Sequence, residues 1–177
     1  MSLVERRYAA SLLELAEDRD LYEPFYRELK MAANIIHRNE RLESFLQDLQ
    51  IDSSKKKKVI FAVFNGNIMQ ELINFLNVLI DKNRFEYLDP IIEEFRIMAD
   101  QKQNILNVTV VSAFPIDELQ LQEIKRKCKN KYMASKVRVH LQEDKSLLGG
   151  IKLKIGDTMI DGTVKSRLEE LRKTLLQ

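Results

Sequence analysis

Apolar residues recur every three or four positions through the first hundred residues, which is the spacing of amphipathic α-helices. Short polar segments separate the stripes; Asp52, Ser53 and Ser54 can cap the fourth helix, and residues 65–67 (NGN) break the chain after it. Six short helices with short connections predict a compact bundle. The stripes are Val4, Tyr8, Leu12 and Leu15; Tyr22, Phe25, Tyr26, Leu29 and Ile36; Leu42, Phe45, Leu46 and Leu49; Val59, Ile60, Val63 and Phe64; Ile68, Leu72, Phe75, Leu76 and Leu79; and Leu88, Ile91, Ile92, Phe95 and Met98.

The period changes near residue 105. Residues 105–111 (ILNVTVV) are β-branched and alternate tightly, which predicts a strand, and Pro115 precedes a helix that starts near Asp117. Two further alternating segments, around residues 137–141 and 151–155, predict strands, and Gly156 with Asp157 predicts a two-residue hairpin into a fourth. The last stripe predicts a closing helix; its residues are Val164, Leu168, Leu171 and Leu175.

Together these patterns predict an α+β protein. Residues 1–104 form a six-helix bundle, and residues 105–177 form a small α/β domain with a mostly four-stranded sheet and two helices.

The composition fits a globular chain that folds without a disulfide or a structural metal. Hydrophobic residues make up 45% and charged residues 32% of the 177 residues. The single cysteine, Cys128, cannot form an internal disulfide, which favours a reducing compartment such as the cytoplasm. We expect no membrane-spanning helix, because no stretch approaches the ~20 apolar residues that one needs. The amino-terminal residues lack the pattern of a signal or transit peptide, which favours a bacterial chain.

Charge is unevenly distributed. Residues 1–105 carry 15 basic and 18 acidic side chains, and residues 106–177 carry 14 and 9. The basic second half leaves a nucleic-acid-binding module as an alternative function, although a modest excess spread over several elements more often marks a solvated surface. That half has only two aromatic residues for base stacking, Phe114 and Tyr132, so we expect no nucleic-acid partner.

Candidate catalytic and metal-binding groups are few. His37 and His140 have no ligand partner at helical spacing, and Cys128 lies in a basic stretch that can lower a thiol pKa but is more often structural. Gly149 and Gly150 precede a strand rather than the helix of a phosphate-binding loop. The sequence therefore predicts no enzyme activity, no metal site and no cofactor.

Helices 1 and 5 carry more apolar surface than a bundle helix needs. Helix 1 has two apolar edges, and helix 5 is apolar around most of its circumference. Two interpretations remain open: the excess docks a partner helix, or helix 5 is buried at the centre of the bundle. The two edges of helix 1 are Tyr8, Leu12 and Leu15, and Ala9, Leu13 and Ala16.

Four segments match a known family in order and spacing. Residues 6–16 (RRYAASLLELA) resemble its arginine-rich start, and residues 112–116 (SAFPI) resemble its Ser-Ala-x-Pro-Leu segment. Residues 74–76 with 83–85 resemble its fifth helix and the following turn. The strongest match is residues 144–151 (DKSLLGGI) and 155–168 (IGDTMIDGTVKSRL). Thr163 replaces a usual serine but keeps a hydroxyl that can cap the last helix.

On these motifs the chain resembles the ATP synthase delta family, which includes the oligomycin-sensitivity-conferring subunit of mitochondria. The resemblance implies a non-catalytic connector of the peripheral stalk, which ties the catalytic alpha/beta head to the membrane-anchored b subunit and resists rotor torque during proton-driven ATP synthesis. It also implies a place at the cytoplasmic face of the bacterial membrane, as a peripheral part of the complex.

The resemblance also implies two partner sites. The bundle is expected to bind the amino-terminal helix of an alpha subunit in a groove between helices 1 and 5, and the α/β domain is expected to meet the b subunit dimer. Candidate residues for the alpha site are Tyr8, Ser11, Leu12, Leu15, Phe75, Val78 and Leu79. Candidates for the b site are Leu171 and Leu175.

Overall fold

Helices fill the first part of the chain and a mixed sheet follows. The computed structural model describes residues 3–175, apart from the side chains at positions 167, 170, 171 and 173–175. Within these residues the helices of the first part are α1 (Leu3–Glu17), α2 (Tyr22–His37), α3 (Glu40–Gln47), α4 (Ser53–Phe64), α5 (Gln70–Asp81) and α6 (Leu88–Lys102), with a 3₁₀ turn at Phe85–Tyr87. The rest comprises β1 (Ile105–Ser112), α7 (Glu118–Tyr132), β2 (Lys136–Glu143), β3 (Ile151–Ile155), β4 (Thr158–Asp161) and α8 (Val164–Leu175).

The predicted α+β class is confirmed, with six helices before a four-stranded sheet among the described residues. Contacts divide the chain into two units, residues 1–99 and 100–177, so the last turn of α6 belongs to the second unit.

The core of the first unit is built from the predicted stripes. Its largest fully buried side chains include Phe25, Phe64, Phe95, Leu12, Leu29, Ile36, Leu72, Leu76 and Leu79. The cap of α4 is confirmed, because the backbone amide of Ser54 donates to the Asp52 carboxylate at 2.8 Å. Ile68 was predicted in the fifth helix but lies before it, and the Met69 amide next to the helix start donates to the Glu28 carboxylate of α2 at 2.7 Å. This contact satisfies an amide that the helix itself cannot pair.

His37 ties three helices together at one end of the bundle. It is the last residue of α2, its Nε2 lies 2.6 Å from Asp89 of α6, and its Nδ1 lies 3.0 Å from Glu43 of α3. Both carboxylates accept hydrogen bonds, so the ring that satisfies both is protonated on both nitrogens. The hydrogen bond to Asp89, followed by the charges and hydrogen bond of the two acids, raises the pKa of His37 above its ordinary value. The structure therefore gives this histidine a structural role.

In the second unit the strands are ordered β2-β1-β3-β4. β1 and β2 are parallel and α7 makes the crossover between them, whereas β3 pairs antiparallel with β1 and with β4. Val108, Val110, Val137 and Ile155 are buried with Cys128 of α7. Burial decreases along the edge strand β2, where Leu141 is 51% exposed although the alternation predicted a half-buried position.

Asp100 anchors the last turn of α6 within this unit. Its carboxylate accepts from Arg138 of β2 at 2.6 and 2.8 Å and from the side-chain Nδ2 of Asn107 of β1 at 2.7 Å. Asp100 is only 2% exposed. Because a buried carboxylate is stable only when it is paired, this cluster fixes the entry into β1.

In the segments that resemble the family most strongly, residues 144–151 and 155–168, side-chain hydrogen bonds stabilise turns and the start of a helix. Asp144 accepts from the amide and hydroxyl of Ser146, at 2.9 and 2.6 Å, and Asp161 accepts from the Thr163 amide at 2.9 Å. The Thr163 hydroxyl accepts from the Ser166 amide at 3.3 Å, which confirms the predicted cap of the last helix. These side chains close turns and begin a helix, so their role here is structural.

Among the glycines with positive φ, Gly150 and Gly156 adopt it for different reasons. Gly156, at φ +56°, turns the hairpin between β3 and β4, and a Cβ there would contact nothing within 4 Å. Gly150, at φ +82°, lies against another stretch of backbone, and a Cβ there would be 2.5 Å from the Gly162 carbonyl oxygen.

We expect Gly150→Ala to destabilise the protein by at least ~3 kcal/mol, because the methyl group meets backbone that cannot move aside. Gly156→Ala is the matched control and should cost about 1–2 kcal/mol, the strain of a positive φ alone. Urea denaturation followed by circular dichroism measures both losses. Equal losses in the free energy of unfolding would show that the close approach at Gly150 does not add to the cost of the substitution.

The His37 contacts predict a pH-dependent contribution to stability. Because the folded pKa is raised, the contribution is complete below the ordinary pKa of about 6.5 and is lost as pH rises through the folded value. We expect His37→Gln to lower the free energy of unfolding by at most ~1 kcal/mol at about pH 5.5 and by less at about pH 9, since the side chain is partly solvated. Urea denaturation at the two pH values measures the difference. His140→Gln, which removes an exposed strand histidine, is the control, and an equal pH effect there would contradict the assignment.

Candidate partner-binding surface on the helical bundle

Helices α1 and α5 meet through an aromatic pair. The rings of Tyr8 and Phe75 pack edge to face with centroids 6.3 Å apart. Arg84, just after α5, donates to the Tyr8 hydroxyl at 3.3 Å and lies 5.7 Å from the centre of its ring. Tyr8 is thus held by an aromatic edge and a cation, an arrangement that fixes its orientation at the bundle surface.

The two helices run antiparallel. Tyr8, early in α1, contacts Arg84 beyond the end of α5, whereas Arg19, beyond the end of α1, forms an ion pair with Glu71 in the first turn of α5 at 3.2 Å. Leu15 lies two helical turns after Tyr8, and Val78 lies nearly one turn after Phe75 in the opposite direction. At 1.5 Å per residue, the positions from Leu15 to Val78 span roughly 15 Å.

Five of the seven predicted alpha-site residues have surface at or beside this contact. Leu15 is 47% and Val78 is 44% exposed, Tyr8 is half-buried, Ser11 is exposed, and Phe75 keeps 8% exposure. We name these five residues the α1–α5 face. The Ser11 hydroxyl donates to the Arg7 carbonyl at 3.2 Å, so its oxygen remains able to accept a further hydrogen bond.

Leu12 and Leu79 belong to the core. Both are 0% exposed, and as the bundle stands they have no surface to offer a partner. Helix α5 also buries the apolar residues around Leu79, which are Leu72, Ile73, Leu76 and Ile80. Most of the apolar excess of helix 5 is therefore used inside the bundle, which favours the second of the two interpretations for that helix.

Polar groups surround the exposed apolar positions of α5. Gln70 donates to Asn74 at 3.1 Å on the outer side of the helix. The side-chain oxygen of Asn77, next to Val78, is buried and makes no hydrogen bond to the described part of the chain. Asn77 and Arg84 lie beside the α1–α5 face but were not among the predicted residues. Their signals were present, since Asn77 interrupts the apolar run and Arg84 lies in the family-like turn.

The comparisons with known proteins decide the family. The family model described as "ATP synthase delta (OSCP) subunit" matches residues 4–175. This chain belongs to that family. Proteins named ATP synthase subunit delta are similar over nearly their whole length: the one from Acetivibrio thermocellus is 42% identical over 100% of this chain and 99% of its own. Those from Clostridium perfringens and Chloroherpeton thalassium are 36% and 34% identical over 98% and 99% of this chain, and 97% and 95% of theirs.

Solved structures agree on the fold. A chain in the cryo-EM structure of the Toxoplasma gondii mitochondrial ATP synthase hexamer superposes with a TM-score of 0.69, with 100% of this chain and 99% of that chain covered. The two are 20% identical, so this likeness shows the shared fold.

Membership of the delta (OSCP) family makes this chain a structural subunit of the ATP synthase complex rather than a catalytic one. Membership also supports a role in the stator. Within the described residues, no group of three or more histidine, cysteine or acidic side chains is arranged to hold a metal ion. Burial raises the pKa of the Cys128 thiol, so the basic stretch around it does not activate it. None of the described helices is long and apolar enough to cross a membrane.

The sequence predicts Leu171 and Leu175 as contacts with the b subunit. Their side chains are outside the part of the chain that the structure describes. Their helix, α8, is described along its backbone to Leu175. Val164 and Leu168 precede them on the same stripe and are 44% and 57% exposed.

The division between core and surface on α1 predicts different costs for two leucines. Leu12→Ala should lower the free energy of unfolding by about 2–5 kcal/mol, because it leaves a cavity in the core. Leu15→Ala should cost less than ~1 kcal/mol, because nearly half of the side chain is already exposed. Urea denaturation of the two variants measures the difference, and similar losses would contradict the assignment of Leu15 to the surface.

Proposed function

We propose that this chain is the connector of the ATP synthase peripheral stalk, and that it links the catalytic alpha/beta head to the membrane-anchored b subunit. In this role it resists the torque of the rotor during proton-driven synthesis. A catalytic ring that was not held would turn with the rotor, and no strain would reach the nucleotide sites. The complex would place this subunit at the cytoplasmic face of the bacterial membrane, as a peripheral component.

The observation that carries the proposal is the match to the delta (OSCP) family over residues 4–175, which includes both units. A connector needs two attachment sites, and the chain has two separately packed units to provide them. Residues 1–104 bind the alpha subunit, and residues 105–177 bind the b subunit.

The alpha site is the α1–α5 face. An amphipathic alpha-subunit helix lies along it and covers Leu15 and Val78, with the Tyr8 ring and the Phe75 edge between them. Ser11 offers an acceptor for polar groups of the partner. Leu12 and Leu79 contribute to the site indirectly, because they pack in the core and hold the two helices in place without contacting the partner.

The b site is on the α/β unit. Residues 106–177 carry 14 basic and 9 acidic side chains, an excess that suits a charged coiled-coil partner. Leu171 and Leu175 are its apolar contacts, continuing the stripe of Val164 and Leu168 on α8.

The test is calorimetric titration of the full chain with a peptide that copies the first ~20 residues of its own alpha subunit, a length of about 30 Å as a helix. We expect binding with a negative heat-capacity change, because apolar surface is buried. Leu15→Asp and Val78→Asp should each weaken binding by about tenfold or more, since a carboxylate would be desolvated at the contact.

Ile35→Asp is the matched control. Ile35 is 39% exposed on α2, so it undergoes the same substitution at a similar exposure outside the α1–α5 face. It should bind the peptide as the wild-type chain does. If all three variants fold and bind like wild type, the α1–α5 face is not the alpha site.

A further inference from the structure

A cavity of about 350 Å³ opens where α3, the start of α4 and the end of α5 meet. One part of its lining is apolar and includes Leu46, Ile80 and Phe85. Another part is polar and includes Lys56, Gln47 and Asn83. Its volume is at the lower end of the range for small-molecule sites.

Lys56 is the unusual member of this lining. Only 3% of its surface is exposed, although lysine is almost never buried without a partner. Its ammonium nitrogen is not among the buried side-chain atoms that lack a hydrogen bond over the described residues, so the charged end of this side chain reaches the cavity. The adjacent Lys57, in contrast, pairs with Asp81 at 2.6 Å. A charge that is largely withdrawn from bulk water is costly unless it is compensated, so the cavity is the space in which the charge of Lys56 is solvated or paired.

The electrostatics around the cavity favour an anion. Lys56 lies in the first turn of α4, where the helix dipole is positive, within the run of four lysines at 55–58. The backbone amides of Lys55 and Lys56 already donate to the Asp52 carbonyl, at 3.1 and 3.3 Å, so the ammonium group is the available donor. Glu86 also lines the cavity, at an exposed position, and offsets part of this positive potential.

We propose that this cavity binds a small organic anion, a function beyond the stalk connection. The acidic head pairs with Lys56 and accepts hydrogen bonds from the side-chain amides of Gln47 and Asn83. The apolar body packs against Leu46, Ile80 and Phe85. A neutral ligand would leave Lys56 unpaired, and an inorganic anion would leave the apolar part of the lining uncovered.

The test is a titration of the ¹⁵N-labelled full chain with octanoate, followed by the backbone amide signals of the lining residues. Octanol and inorganic phosphate are titrated in parallel, because each keeps only one half of the proposed chemistry. We expect saturable shifts at these residues with octanoate, and binding of octanol and phosphate at least about tenfold weaker.

Two charge-removing variants locate the anion. Lys56→Gln and Lys56→Met should each weaken octanoate binding by about tenfold or more, while thermal melting checks that they remain folded. Lys58→Gln removes the same charge from an exposed position on the same helix and should change binding by less than about twofold.

Several results would overturn the proposal. One is octanol binding as tightly as octanoate, and another is phosphate binding as tightly as octanoate. A third is an equal loss in Lys58→Gln and Lys56→Gln. Shifts with the wild-type chain that do not saturate, or that lie outside the lining, overturn it without reference to any variant.

Discussion

Burial of helix α5 is the constraint from which the rest of the bundle follows. Leu72, Leu76 and Leu79 are 0% exposed, and fully burying such a side chain contributes about 1.5–3 kcal/mol. The same burial leaves the outer side of the helix with Val78 among polar neighbours such as Gln70 and Asn74. The exposed side of the helix is consequently a narrow apolar strip with a polar rim, which is the usual anatomy of a protein–protein interface.

Helix α5 contributes to two different surfaces of the bundle. Val78 belongs to the α1–α5 face, and Ile80 lines the cavity beside Lys56. Residues two apart on a helix point in different directions, so one helix serves both surfaces. The proposed alpha-subunit contact and the proposed anion site therefore share a supporting element, although they use different side chains and different chemistry.

The α/β unit is small, and local polar contacts add to its modest core. Within this unit, Asp100 bonds to Arg138 and Asn107 of the sheet, and Gly150 allows close approach to the backbone at Gly162. Asp117 and Gln120 cap α7 with reciprocal hydrogen bonds. Small domains bury a lower fraction of their surface than large ones, so such contacts carry more of the stability. In the family-like segments 144–151 and 155–168, Asp144, Asp161 and Thr163 supply such contacts.

The sequence by itself determined the secondary structure, because helix and strand periods, caps and turn glycines act over a few neighbouring residues. It also determined the family, because its motifs match in order and spacing. Asp52, Asp117, Gly156 and Thr163 were each interpretable from their immediate neighbours. Burial depends on what packs against a residue from elsewhere in the chain, and only the tertiary structure decided that. Leu12 and Leu15 lie on one predicted stripe, yet one is fully buried and the other is 47% exposed. For the same reason Leu79 is in the core, and Lys56, one of four consecutive lysines, is buried against a cavity.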